Sequence, residues 1–150
     1  MFKKIVLLIS TRPELNALAL NLAKESSGKP TGSTLSPPVP CRLILLELIE
    51  PKLVMQIVQG SSRKESDVQE ELEGKAWCEL YRLEHEFKES GAEVAIALEE
   101  CSLFEIQPFL RSIKTDLLIL PVERLRHYNY KLSEEFLANL PCPALLIGKP

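Results

Sequence analysis

Between Gly91 and Gly148 the chain has no glycine. That stretch therefore lacks the residue that lets backbone N–H groups close around a phosphate in positive-φ turns. Cysteine is sparse as well. Cys41, Cys78, Cys101 and Cys142 lie far apart, with no C-x-x-C or Cys/His spacing, which excludes a zinc knuckle and a dithiol redox motif. They are expected to be reduced, mostly core thiols. No segment approaches the roughly 20 apolar residues of a membrane span. A net charge of -3 and a pI near 5.5 argue against a general nucleic-acid binder, without excluding a local basic patch.

What is present is the composition of a globular protein. With 45% hydrophobic and 26% charged residues in 150, residues 1–150 fit a single domain. Two lysines precede the apolar run Ile5 to Ile9, as in a leader peptide. The run is too short, however, and stops at Ser10-Thr11-Arg12-Pro13 without a small-residue cleavage site. The expectation is a first strand and a cytoplasmic protein.

Strand and helix patterns alternate from there. Thr11-Arg12-Pro13-Glu14 has the form of a capping box, and Leu15, Leu18, Ala19, Leu22 and Ala23 follow on one helical face. Ser26 to Pro40, rich in proline, glycine and serine, reads as a long surface loop, either a lid or partner-binding segment or a tolerated insertion. Cys41 to Ile49 is a second strand. Lys52 to Val58 is ambiguous between strand and helix, its apolar residues either capping the core, the favoured reading, or lining a partner surface. Arg63 to Ser90 is the longest helix pattern, with Val68, Leu72, Ala76, Leu80, Leu83 and Phe87 inward. Trp77 and Tyr81 beside that stripe read as helix packing rather than a base-stacking platform. Gly91 closes this helix, and Val94 to Leu98 is a third strand.

A second capping-box form, Ser102-Leu103-Phe104-Glu105, opens a helix to about Ile113, with a kink or break predicted near Phe104 to Pro108 because proline cannot complete the ladder. Asp116 to Leu120 is an acid followed by an apolar run, the pattern of a central parallel strand. A helix near Ser133 to Leu140 and a last strand, Ala144 to Ile147, end the chain. The alternation predicts an α/β fold: a doubly wound five-stranded parallel sheet in the order 3-2-1-4-5, with helices on both faces. Ligands in such sheets bind beyond the strand carboxyl ends where the winding reverses. The ligand-crevice candidates are accordingly Ser10, Thr11, Arg12, Pro121, Val122, Arg124, Arg126, His127 and Lys131.

Lys4-Ile5-Val6-Leu7-Leu8-Ile9, Ser90-Gly91-Ala92-Glu93-Val94, Thr115-Asp116-Leu117-Leu118-Ile119-Leu120 and Leu140-Pro141-Cys142-Pro143-Ala144-Leu145-Leu146-Ile147, in this order and spacing, resemble the universal stress protein (UspA-like) family over nearly the whole chain. The resemblance implies an adenine nucleotide alpha hydrolase-like fold, a stress-response or regulatory role and a homodimer joined through the last strand, Ala144, Leu145, Leu146 and Ile147. ATP-binding members carry an aspartate at the end of the first strand and a G-x-x-G-x9-G-[S/T] segment after the fourth. Here Ser10 stands in place of the aspartate, Pro121 replaces the first glycine and Arg124 falls about where the second belongs. The implied protein is thus a divergent member with no cofactor, ATP and AMP being disfavoured. Its partners are a second copy and an unidentified protein, with no nucleic acid and no membrane.

The alternative is a nucleotide- or phosphate-binding switch in which Arg124, Arg126, His127 and Lys131 supply side-chain charge in place of glycine backbone. A third reading is a hydrolase using His127 with Asp116 or Glu123. No nucleophile motif, carboxylate pair or metal cluster accompanies those residues, so no catalytic or metal residue is assigned. A receiver domain is rejected because Ser10-Thr11 replace its acids after the first strand.

Overall fold

The computed structural model describes residues 2–26, 42–126 and 128–148. The central sheet is parallel and its strands run in the order β3-β2-β1-β4-β5. They are β1 (Lys4–Leu8), β2 (Arg42–Leu48), β3 (Glu93–Glu99), β4 (Leu117–Pro121) and β5 (Ala144–Ile147). β1 and β4 are the central neighbours, registered Ile5 to Leu117 and Leu7 to Ile119. Val6, Leu7, Leu118 and Ile119 have no exposed surface, as an interior parallel strand covered on both faces requires.

Helices cover the two faces. α1 (Pro13–Ser26) and α3 (Glu65–Glu89) lie on one, where Leu15, Ala19, Leu80, Leu83 and Phe87 pack on Ile5, Leu7 and Leu45. α4 (Gln107–Ser112) and α5 (Tyr130–Ala138) cover the other, with Leu110 and Phe136 against Val6, Leu8 and Leu118. The winding therefore reverses between β1 and β4, and the carboxyl ends of those strands flank the reversal.

Several expectations are sharpened or corrected. Lys52 to Val58 belongs to a helix, α2 (Pro51–Ser61), begun by a proline that suits a first turn. Its Val54 is buried while Leu53 and Met55 are exposed. Leu18, expected inward, is exposed on α1. The Thr11 cap fails because α1 starts at Pro13; just ahead of it Ser10 Oγ accepts from the Arg12 N–H at 3.0 Å and closes the turn into the helix. The break ahead of α4 is present: a 3-10 turn, Leu103–Glu105, is separated from α4 at Ile106. There the Ser102 hydroxyl reaches the Glu105 side chain and caps no backbone N–H. α5 begins at Tyr130 rather than Ser133, because Asn129 Oδ1 accepts from the Leu132 N–H at 2.8 Å, an N-cap the hydrophobic pattern alone does not reveal. Trp77 and Tyr81 stack on each other at the surface, 5.9 Å between centroids, rather than within the core. The thiols are not mostly core: Cys78 is exposed, and Cys101 and Cys142 are half-buried. Cys41 and the stretch 27–40 lie outside the described residues.

Candidate functional site: the crevice at the winding reversal

After Leu8 the chain leaves β1 through Ile9 and Ser10 and turns into α1. Asn16, buried one turn into the helix, locks that exit: its Oδ1 accepts from the Ser10 N–H at 2.8 Å and its Nδ2 donates to the Ser10 carbonyl at 3.0 Å. A buried amide that satisfies both backbone groups of one residue removes the cost of burying them. Ser10 is thereby held with its hydroxyl directed at the segment after β4. That hydroxyl donates to Glu123 Oε1.

The segment after β4 is a 3-10 turn, Val122–Leu125. It projects Glu123 and Arg124 back over the strand ends. Arg124 Nη2 donates to the Ile9 carbonyl at 2.8 Å and to Glu47 Oε1 at 2.6 Å. Glu47, the one acid within β2, also accepts from the Leu48 N–H at 2.8 Å. Both side chains retain only about a fifth of their exposure. The crevice between the ends of β1 and β2 is thus crossed by a paired, hydrogen-bonded side chain.

The candidates separate into groups. Ser10, Arg12 and Arg124 come together with Glu123, whose Oε2 lies 3.8 Å from Arg12 Nε. Pro121 is the buried last residue of β4 and offers no N–H. Thr11, Val122 and Arg126 are exposed at the rim, and Lys131 is exposed on α5. His127 lies outside the described residues. Asp116, considered as a base, sits at the opposite end of β4, where its Oδ2 accepts the N–H groups of Lys3 and Lys4 at 2.9 Å each. Those bonds hold its carboxyl below the usual carboxylate range. Asp116 thus lies away from the crevice at which Glu123 stands.

Glu47, Asn16 and Gly148 were not singled out among the crevice residues. A charged residue inside the apolar run Leu43 to Leu48 was the available signal for Glu47. On the α1 side of the strand ends an adjoining cleft of about 270 Å³ opens, lined by Leu15, Val122 and Leu125 with Arg12, Glu123, Arg126 and Gly148. Among the described residues no cluster of three metal-ligating side chains occurs, and no helix is long and apolar enough to cross a membrane.

The sheet order, with helices on both faces and a crevice at the reversal, defines a doubly wound α/β domain. Its fold is that of the universal stress protein structures. The structure of the protein MJ0577 aligns over 100% of this chain and 98% of its own, with a TM-score of 0.71 at 17% identity. The universal stress protein UspA from Lactobacillus plantarum aligns over 97% of each chain, with a TM-score of 0.67 at 11% identity. A universal stress protein in complex with cAMP aligns over 98% of this chain and 97% of its own, with a TM-score of 0.57 at 10% identity. No family model and no curated protein matches the sequence.

Proposed function

We propose that the chain is a divergent universal stress protein-like domain, a dimeric regulatory or stress-response module that does not bind ATP in the usual way. The observation that carries this reading is Arg124, which spans the strand ends to Ile9 and Glu47. A base entering between the ends of β1 and β2 has to displace that side chain. Charge-assisted hydrogen bonds contribute roughly 1.5–3 kcal/mol each, so losing one weakens nucleotide binding by about ten- to hundredfold. Nothing nearby compensates. Pro121 lacks the N–H a phosphate cradle would use, and no glycine follows until Gly148.

The same commitments argue against hydrolysis. Ser10 is buried and its hydroxyl is tied to Glu123, and a base needs both access and a positioned substrate. The dimer is assigned to β5, an edge strand whose Leu146 is exposed, since an apolar unpaired edge favours pairing with another strand.

Isothermal titration with ATP, AMP and cAMP tests the nucleotide part of the reading. No heat at high protein concentration is expected, and a saturable isotherm with any of the three would overturn it.

A further inference from the structure

We infer that the cleft on the α1 side of the strand ends binds a small amphipathic organic anion, a carboxylate or phosphate monoester carrying one compact apolar group. The site goes beyond the proposed function; it adjoins the plugged crevice through Arg12 and Glu123, but Arg124 is not among its walls. Its occupant leaves the bond between Arg124 and Glu47 in place.

Three features select that ligand. The first is an apolar wall of Leu15, Val122 and Leu125. Val122 is 47% exposed, an apolar surface that a ligand's hydrocarbon part would cover.

The second is charge. Arg12 and Arg126 stand at the rim with Glu123, leaving a net excess of one positive charge. Glu123 competes with an incoming anion for Arg12, whose Nε lies 3.8 Å from Oε2, but not for Arg126, and its Oε1 already takes the Ser10 hydroxyl. Arg126 is exposed and its guanidinium has no hydrogen-bond or ion-pair partner among the described residues. A guanidinium fork suits carboxylate and phosphate oxygens alike.

The third is size. At about 270 Å³ the cleft lies just below the roughly 300–1,000 Å³ of drug-sized sites, which fits a single ring or short chain with its head group. Gly148 sets one side of the mouth: a Cβ there would lie 3.2 Å from Val122 Cβ and 3.3 Å from its Cγ2.

The test is an amide-resolved NMR titration of the full chain with phenyl phosphate and with benzoate, using benzyl alcohol and inorganic phosphate as half-ligands. Saturable shifts at Leu15, Val122, Leu125, Arg126 and Gly148 are expected with one or both anions, and which of them binds names the head group. Each half-ligand should bind at least about tenfold more weakly. Arg126→Ala should weaken the anion by about tenfold with a folded spectrum, and Arg126→Lys should recover part of the loss. The inference fails if neither anion saturates, if benzyl alcohol binds equally, or if Arg126→Ala binds as the parent does. Shifts centred instead on Ile9, Glu47 and Leu48 would also overturn it, and would mark the plugged crevice as the site. A silent nucleotide titration leaves this result untouched, so the two readings fail separately.

Discussion

Arg124 and Glu47 meet at 2.6 Å across the carboxyl ends of the strands, although 77 residues separate them in the chain. The same arginine nitrogen is bonded to the carbonyl of Ile9, so the turn after β4 is tied to β1 and β2 together. Each partner is about four-fifths withdrawn from solvent, which makes removal of one costly for the other.

Arg124→Ala should therefore destabilise the domain by about 1–3 kcal/mol, and Glu47→Gln by less, because a glutamine oxygen still accepts from both donors. Urea unfolding with an unchanged m-value measures each. The double variant should show a coupling of at least about 0.5 kcal/mol, and additivity within roughly 0.3 kcal/mol would show that the contact contributes nothing of its own.

Unplugging the crevice should not create a nucleotide site. In Arg124→Ala the space opens, but Pro121 still offers no N–H and the turn Val122–Leu125 still has no glycine. Titration of this variant with ATP is expected to stay silent. A saturable isotherm would mean that the arginine, and not the missing loop, is what excludes the nucleotide.

The order of strands and helices was legible because hydrophobic period and length agree in each element: Leu117 to Leu120 is apolar on both faces and Leu80, Leu83 and Phe87 keep helical spacing. Boundaries were less so. The α5 start depended on the Asn129 side chain, and Leu18 has the helical spacing of a core residue yet faces solvent. The crevice was half legible. Proximity of Ser10 and Arg124 follows from topology, because β1 and β4 are neighbours. That Arg124 turns inward to Glu47 does not, since the pairing depends on a turn geometry and on a residue in another strand. Arg124, Arg126 and Lys131 read as one patch in sequence, whereas Arg124 turns inward to Ile9 and Glu47 and Lys131 is exposed on α5.

Asp116 makes the stability of the fold pH-dependent in a defined direction. The Lys4 and Lys3 N–H groups stabilise its ionised form and hold its carboxyl below the ordinary range. The contribution is present above the unfolded aspartate value of about 3.9 and is lost as pH falls through the lower folded value. Asp116→Asn should be less stable than the parent at neutral pH, and the difference should shrink as pH falls below about 3.9. Unfolding midpoints across that range decide it; a constant gap would assign the loss to shape rather than charge.

The half-buried thiol of Cys101 should be slow to alkylate. Burial, with Glu99, Glu105 and Glu50 nearby, pushes it up to about 11. Against an ordinary thiol near 8.5 this cuts the thiolate fraction at pH 8 by over a hundredfold, and higher nucleophilicity returns part, leaving roughly twentyfold. Timed iodoacetamide labelling with peptide mass spectrometry should find Cys78, which is exposed, modified well before Cys101. Equal rates in the folded protein would contradict that environment.

The two edges of the sheet differ in how they resist pairing, which is the ground for assigning the proposed dimer to β5. β3 begins at Glu93 and ends at Glu99, charges that discourage an incoming strand. β5 reads Ala-Leu-Leu-Ile with no charge or proline, and Leu146 is 42% exposed. A Leu146→Lys variant adds to β5 the defence that β3 already has. Light scattering at micromolar concentration should give twice the chain mass for the parent and for Glu93→Lys on the opposite edge. It should give the single-chain mass for Leu146→Lys, with circular dichroism showing that the variant is folded. A parent that scatters as a monomer removes the dimer, and loss of the dimer in Glu93→Lys alone moves the interface to β3.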